Sequence, residues 1–505
     1  MAGKITFKKY QQHQLYLLPP SLEELVPEKH PVRIVNTIVD QLDISKLESE
    51  YKSGGTSSYH PRMLLKVMIY SYLDNIYSSR MMERQLKENV HYMWLSAMSK
   101  PDHNTLNRFR SERLKNSLET IFTHVIELMV DQGLVNLKRA FIDGTKIEAN
   151  ANKYTFVWGR SISKSKERIA IQLKELWKYT QQVAQQEFNE PEPPDFDPVD
   201  PQKVKETLEK IDRALKQSPQ ASKEIKQKVN YAKRNWSSKL EKYAQQEVEM
   251  GNRNSMSKTD QDATFMRMKE DHMLNGQLKP GYNIQLSTND QFILCYSVHQ
   301  QSNDFNTLPI HLTRFEKMHG MVPDDVVTDA GYGSEENYAL MESKGINAYV
   351  KYPYFDREQN NKINDFDAST LFYNPQQDCF YCPMGQPMIR QYSYTDSKEN
   401  KYVTIYQAQN CTTCPIKSVC YKGKLHHRTI RINHELLRHK NKARELLLSE
   451  KGEFLRKKRS CDVEPTFGNI KQNKKFKKFN LRGLLKVDIE IGLIAIAHNL
   501  KKAAA

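Results

Sequence analysis

Residues Val326 to Val350 read VVTDAGYGSEENYALMESKGINAYV. A short apolar run climbs to Asp329, and a Gly-Tyr-Gly turn follows. A helix-shaped stretch then begins near Ser334, stops at Gly345, and gives way to a second apolar run. A helix set between two strands requires a parallel crossover, so this unit commits the chain to an α/β architecture. It also leaves a carboxylate at the end of a buried strand, which is costly unless something binds it.

A second strand-end acid lies upstream. RAFIDGTKIEAN (139–150) reads as a short apolar strand ending at Asp143. GYNIQLSTNDQFILCYSVHQ (281–300) reads as two strands turned at Asn289-Asp290, and residues 304–319 read as a helix. An antiparallel hairpin joined to parallel strands gives a mixed sheet. Two aspartates at neighbouring strand ends repel unless cations bind between them. A third acid, Glu464, follows in KKRSCDVEPTFGNIKQN. Hard oxygen ligands without histidine favour Mg²⁺ or Mn²⁺, and a pair of such ions activates water and stabilises the leaving oxygen of a phosphodiester. The plainer alternative is that the aspartates cap turns. Pro465 disfavours helical geometry at Glu464, which places the glutamate at a helix start with Pro465 near the first helical position. Asp462 is a rival ligand.

The charge balance points to the same kind of substrate. Lys plus Arg number 76 against 60 acids, a net charge of +16, which favours a polyanionic partner. In IKQNKKFKKFNLRG, Lys471, Lys474, Lys475, Lys477, Lys478 and Arg482 surround Phe476 and Phe479. Cations match phosphates, and rings stack on bases. Lys471 falls seven residues after Glu464, so on one helix the two share a face.

A chain of 505 residues holds two or three domains. Residues 60–135 read as helices. PRMLLKVMIYSYLDN is apolar at helical spacing, and SSRMMERQLKENV follows a serine pair able to cap it. PDHNTLNRFRSERL carries Asn104, Asn107, Arg108 and Arg110 on its expected exposed turns, which suits helix-turn-helix DNA binding. Residues 160–250 repeat apolar positions at helical spacing on either side of the proline-rich linker NEPEPPDFDPVDP. They read as an inserted helical arm, a coiled-coil hairpin whose apolar faces need a helical partner.

The N-terminus lacks the apolar core of a signal peptide, and no run approaches a membrane span; the longest, IGLIAIA, is short. A cytoplasmic setting follows, with cysteines reduced or metal-bound rather than disulfide-bonded. Five of the seven cysteines fall in CFYC and CTTCPIKSVC, a zinc-ribbon signal in a segment that reads as too polar to pack a core of its own. Counting knuckles alone selects Cys379, Cys382, Cys411 and Cys414.

Taken together, SSRMMERQLKENV, PDHNTLNRFR, FIDGTKIEANAN, PGYNIQLSTND, VVTDAGYGSEEN and VEPTFGNIKQNKKFKKFNLRGLLKVDIEIGLIAIAHNL resemble a bacterial insertion-sequence transposase of the DDE class over nearly the whole chain. The resemblance implies an α/β fold with an RNase H-like mixed sheet, an all-α N-terminal domain, the inserted arm and a small Cys-rich zinc ribbon. The implied boundaries are a helix-turn-helix-like DNA-binding domain at 1–135, core at 136–155, arm at 156–260, core at 261–352, ribbon at 353–430, and C-terminal core helices at 431–505. It implies Asp143, Asp329 and Glu464 as the catalytic, Mg²⁺-holding triad.

The family's Tyr-Arg-Glu-Lys signature is kept in part. Lys471 stands at the lysine, Lys457 at the tyrosine and Ser460 at the arginine, with Arg459 one residue away. The family cysteine pattern selects Cys382, Cys411, Cys414 and Cys420 for structural Zn²⁺, with Cys379 as the alternative. The implied DNA-contacting residues are Lys471, Lys474, Lys475, Lys477, Lys478, Arg482, Arg459, Asn104, Arg108 and Arg110. The implied function is binding of terminal inverted repeats, cleavage at the element's ends and transfer of the 3′ ends to target DNA. It would be performed by a homodimer on DNA, near the nucleoid and without a membrane. A metal-dependent nuclease without strand transfer and a catalytically silent DNA-binding descendant are the alternatives.

Overall fold

The computed structural model describes residues 20–51, 58–184, 188, 195–196, 199–268, 277–360, 366–396, 401–423 and 425–504. The chain divides into two compact units, residues 1–134 with 491–505, and residues 135–490.

The first unit is helical among its described residues. The apolar run beginning at Pro61 forms the helix Pro61–Leu73, with proline at its start and Leu64, Leu65, Met68 and Tyr72 buried. The helices Ser79–Glu88, Val90–Leu95 and His103–Ser111 follow. Ser78 takes the capping position of the first of these but its side chain makes no capping bond. Asp102 does cap the third, accepting from the Thr105 N–H at 2.8 Å. IGLIAIA lies buried within the helix Leu484–Ala503. No helix among the described residues is long and apolar enough to cross a membrane.

The second unit is built on a mixed six-stranded sheet. Its strands are β1 (Arg139–Glu148), β2 (Thr264–Arg267), β3 (Leu278–Asn289), β4 (Phe292–His299), β5 (Asp325–Thr328) and β6 (Asn347–Val350). The order is β2–β3–β1–β5–β6, with β4 also paired to β3. β1 runs antiparallel to β3 and parallel to β5, and β5 runs parallel to β6. The expected hairpin is present, but its turn is Asp290-Gln291, one residue later than expected, with φ of 49° and 64°. Positive φ at both central residues matches the twist of the paired strands.

Helix α1 (Leu308–His319) packs on β4. Helix α2 (Glu335–Ser343) makes the crossover to β6, capped by Ser334 and ended before Gly345 at φ 71°. Helices α3 (His434–Leu448) and α4 (Glu450–Gly468) follow, and α4 lies against β1, β3, β5 and β6.

The arm differs from a hairpin. Three helices, Gly159–Val183, Pro201–Gln217 and Lys223–Met250, pack on one another. Leu173, Trp177, Leu208, Ile211, Val229 and Trp236 form their shared core, so the apolar faces already have partners. The proline-rich linker lies largely outside the described residues. At the arm's base Phe156–Trp158 pairs antiparallel with Ser255–Ser257, which brings the two ends of the insertion together. Replacing residues 159–253 with a short Gly/Ser linker is therefore expected to leave a soluble, cooperatively melting protein, checked by thermal denaturation. Loss of all soluble protein would show that the arm is part of the sheet's folding unit.

The Cys-rich segment also differs from expectation. It forms a five-stranded antiparallel sheet with a small core of its own, in which Phe380, Met388, Tyr406, Ala408 and Ile430 are buried.

Candidate active site

The position of each acid follows from strand pairing. β1 and β5 run in register, Arg139 beside Asp325, Ala140 beside Val326 and Phe141 beside Val327. The pairing ends at Phe141 and Val327, and Asp143 and Asp329 each follow two residues further along, Asp329 just after β5 has stopped. Asp143 does not end its strand as expected. β1 continues to Glu148 because β3 keeps pairing with it on the other edge, as far as Glu148 opposite Gly281. β5 does stop, at Thr328, and Asp329 caps a 3₁₀ turn (Ala330–Tyr332) by accepting from the Gly331 N–H at 2.8 Å. Asp143 is 7% exposed, and its Oδ1 accepts from the Gly144 N–H at 2.7 Å.

The third acid comes from α4. Arg459 joins it to the strands, with Nη1 3.5 Å from Asp143 Oδ2 and Nη2 3.7 Å from Glu464 Oε1. Glu464 is exposed. It does not sit at a helix start, since α4 runs through it and holds Pro465 in its interior. The physical reason is visible one turn back. Proline has no N–H for the carbonyl four residues earlier. That carbonyl, of Cys461, accepts instead from Gln291 Nε2 at 3.0 Å, in the β3–β4 turn. Asp462 faces the same turn. It is buried, and it accepts from Thr288 Oγ1 at 2.7 Å and the Gln291 N–H at 3.1 Å. Burial pushes its carboxyl up, against those donors.

Lys471 does not share a helical face with Glu464 in the expected way. The segment Asn469–Asn473 is a π-helical turn, in which the seven-residue spacing of an α-helix no longer applies, and Lys471 is buried within it. The basic segment beyond is likewise only partly a surface. Lys474, Phe476 and Phe479 are buried, and the two rings meet edge to face at 5.4 Å, so they belong to the core rather than to a stacking platform. Lys475, Lys477, Lys478 and Arg482 are exposed. The segment is laced to the end of β1 by Glu148 N–H to Lys477 O at 3.2 Å and Phe479 N–H to Glu148 O at 2.9 Å.

In the first unit, Asn104, Asn107 and Arg108 are exposed. Arg110 is not. It is 3% exposed and donates to Tyr72 Oη at 3.1 Å and the Tyr77 carbonyl at 2.6 Å, an interior role that sequence spacing did not reveal.

A group of polar residues absent from the sequence reading lies behind the acids. Asn283 and Gln285 alternate along β3 on the face opposite Asp143, and both are buried. Tyr332 donates to Gln285 Oε1. Gln285 Nε2 donates to Asp304 Oδ1 at 2.8 Å, and Asn283 Nδ2 donates to the same oxygen at 2.7 Å. Burial holds the Tyr332 hydroxyl well above its ordinary pKa, and the negative charges of Asp304, Asp143 and Asp329 add to the effect. The available signal was two amide side chains at alternate positions of a strand otherwise suited to a core.

The acids form a hard, anionic donor set, which suits Mg²⁺ or Mn²⁺. Among the described residues, however, no three His, Cys, Asp or Glu side chains are grouped closely enough to hold a metal ion. The Arg459 guanidinium occupies the approach between Asp143 and Glu464. The cysteines show a parallel situation. Cys382, Cys411, Cys414 and Cys420 line one pocket together with Arg428. Arg428 donates to Cys420 Sγ at 3.0 Å through Nη1 and to Cys411 Sγ at 3.4 Å through its N–H. Cys379 is buried on the strand Cys379–Tyr381, away from that lining.

Two family models match the chain. Residues 381–504, which include Glu464, match one described as a transposase DDE domain. Residues 20–112 match one described as a transposase domain (DUF772). Neither the curated proteins nor the solved structures contain a match.

Proposed function

We propose, on the premise that this chain is an insertion-sequence transposase of the DDE type, that it binds the terminal inverted repeats of its element, cleaves at the ends and transfers the 3′ ends to target DNA. The observation that carries the reading is the parallel pairing of β1 with β5, beyond which Asp143 and Asp329 each follow by two residues, with Arg459 linking Asp143 to Glu464. The strand order, an antiparallel hairpin followed by two parallel strands, supports an RNase H-like core.

In this reading Asp143, Asp329 and Glu464 are the residues that would hold Mg²⁺ or Mn²⁺ once drawn together, and such an ion would activate the nucleophile and neutralise charge on the leaving oxygen. Arg459, which contacts both Asp143 and Glu464, would offer its charge to the scissile phosphate. The exposed Lys475, Lys477, Lys478 and Arg482 lie on a segment laced to the end of β1, where they contact DNA phosphates. Asn104 and Arg108, four residues apart on the face of one helix, contact the terminal repeat. Cys382, Cys411, Cys414 and Cys420 hold a structural Zn²⁺.

The test is incubation of the full chain with labelled end duplex, a target plasmid and Mg²⁺. Cleavage at the element's end followed by joined product is the expected result. Cleavage without joining identifies a nuclease, and binding without cleavage identifies a silent descendant.

A further inference from the structure

The basic segment after α4 carries its exposed cations on a backbone that is held from two directions. Glu148 at the end of β1 takes the first stretch, through its bonds to Lys477 and Phe479. Carboxylates take the next. Glu490, 0% exposed, accepts from the Asn480 N–H and the Leu481 N–H, each at 2.8 Å, and from Asn480 Nδ2 at 3.2 Å. Asp260, also buried, accepts from the Gly483 N–H at 3.1 Å, and the half-buried Asp262 from the Leu484 N–H at 2.7 Å. Both aspartates lie in the loop just before β2. Gly483 has φ of 87°, which favours glycine, so the chain turns there and gives successive N–H groups to the two acids. Asp260 is fixed in turn by Tyr282, whose hydroxyl lies 2.9 Å from both of its oxygens and whose ring meets Phe479 edge to face at 5.8 Å.

Arg482 sits in the middle of this latched stretch. It is exposed, and its Nε donates to the Asn150 carbonyl at 2.7 Å. That bond orients the guanidinium and leaves its two Nη nitrogens without a partner among the described residues. A capping role at the start of the helix Leu484–Ala503 accounts for Asp260 and Asp262. It does not account for Glu490, which reaches back from inside that helix to the segment before it. Nor can acids beside these cations help to attract a polyanion, since their charge opposes it. What they supply is geometry.

We infer that Glu490, Asp260 and Asp262 are positioning residues for DNA: they fix residues 480–484 as one rigid loop, so that Arg482 presents both Nη nitrogens to a single phosphate of duplex DNA. A guanidinium held this way forms two parallel bonds to the phosphate, which an ammonium does not reproduce. The inference rests on the segment being a DNA contact, as proposed above, and needs no metal ion.

The experiment is a set of binding isotherms of the full chain on labelled end duplex at several salt concentrations, without divalent metal, with thermal melting in parallel. Arg482→Ala is expected to weaken binding about fivefold at about 0.15 M salt and to reduce the slope of log affinity against log salt by about 0.9, as for one lost phosphate contact. Glu490→Ala and Asp262→Ala are expected to fall with it, although each removes an acid, which by charge alone could only strengthen binding. Asp262 is only half-buried, so its variant stays readable should Glu490→Ala fail to fold. Glu490→Gln and Asp262→Asn keep an acceptor oxygen and are expected to stay within about twofold of wild type. Alanine variants that melt earlier but keep wild-type affinity and slope make the acids merely structural and overturn the inference. Tighter binding in either overturns it too, by making them act through charge. Wild-type affinity in Arg482→Ala overturns it as well. If the double variant Lys477→Ala/Lys478→Ala is then also unchanged, the reading of the segment as a DNA contact falls with it.

Discussion

Asp143→Ala and Asp329→Ala are each expected to lower end cleavage by about 10³-fold or more, while affinity for end duplex is expected to change by about twofold at most. The two effects separate because they arise in different places. Asp143 is buried at the sheet, and Asp329 caps the turn after β5. The exposed cations proposed to meet phosphate are on the segment after α4 and on the helix His103–Ser111. Removing a carboxylate takes away negative charge, which does not weaken a polyanion's binding. Single-turnover cleavage and a binding isotherm on the same duplex measure both. Either variant cutting at the wild-type rate with Mg²⁺ would falsify the assignment of metal-holding acids. Glu464→Gln is expected to behave like the aspartate variants. Its rival is Asp462, whose carboxylate is engaged by Thr288 and Gln291. An active Glu464→Gln beside a dead Asp462→Asn would transfer the role.

Cys420→Ser is expected to lose bound zinc and expose residues 379–420 to proteolysis, whereas Cys379→Ser keeps both its zinc and its melting behaviour. Cys420 shares a pocket with Cys382, Cys411 and Cys414, and Cys379 does not line it. Structural zinc is four-coordinate, and its binding is folding energy, on the order of 10 kcal/mol for isolated zinc modules. The small core around Phe380, Met388 and Tyr406 lessens that dependence, so local opening rather than loss of the whole sheet is the expected result. Arg428 reaches the Cys420 sulfur with its guanidinium and the Cys411 sulfur with its backbone N–H. Zinc per chain, measured for both variants, decides the ligand set. Zinc kept in Cys420→Ser and lost in Cys379→Ser would restore the plain pairing of two Cys-x-x-Cys knuckles. A metal-free wild type would end both.

What the sequence made legible was local. The run from Val326 to Val350 announced a strand, a capped helix and a parallel strand because Ser334, Gly345 and the apolar runs act within a few residues of one another. The misreadings came from partners far away in the chain. Asp143 was expected at a strand end, but the second edge of β1 is occupied by β3, which no local pattern encodes. Phe476 and Phe479 sit among lysines and read as surface rings, yet they pack in the interior, Phe479 against Tyr282 at 5.8 Å. Arg110 fell at a solvent position by spacing and was drawn inward by Tyr72 and the Tyr77 carbonyl. The Tyr332, Gln285 and Asp304 group escaped notice because its members come from three separate segments and carry no motif.

Pro465 has a consequence for how accurately α4 is seated. An apolar helix face tolerates sliding, since one leucine replaces another with little loss. A helix with every carbonyl satisfied internally offers a turn such as Asp290-Gln291 nothing to recognise. By withholding one N–H, the proline opens the carbonyl of Cys461, and Gln291 takes it. Displacing α4 by a single residue would rotate that carbonyl about 100° and carry it about 1.5 Å along the axis, out of reach. The bond therefore works as an index mark: it admits one rotation and one height of the helix over the sheet, the setting that brings Arg459 to Asp143.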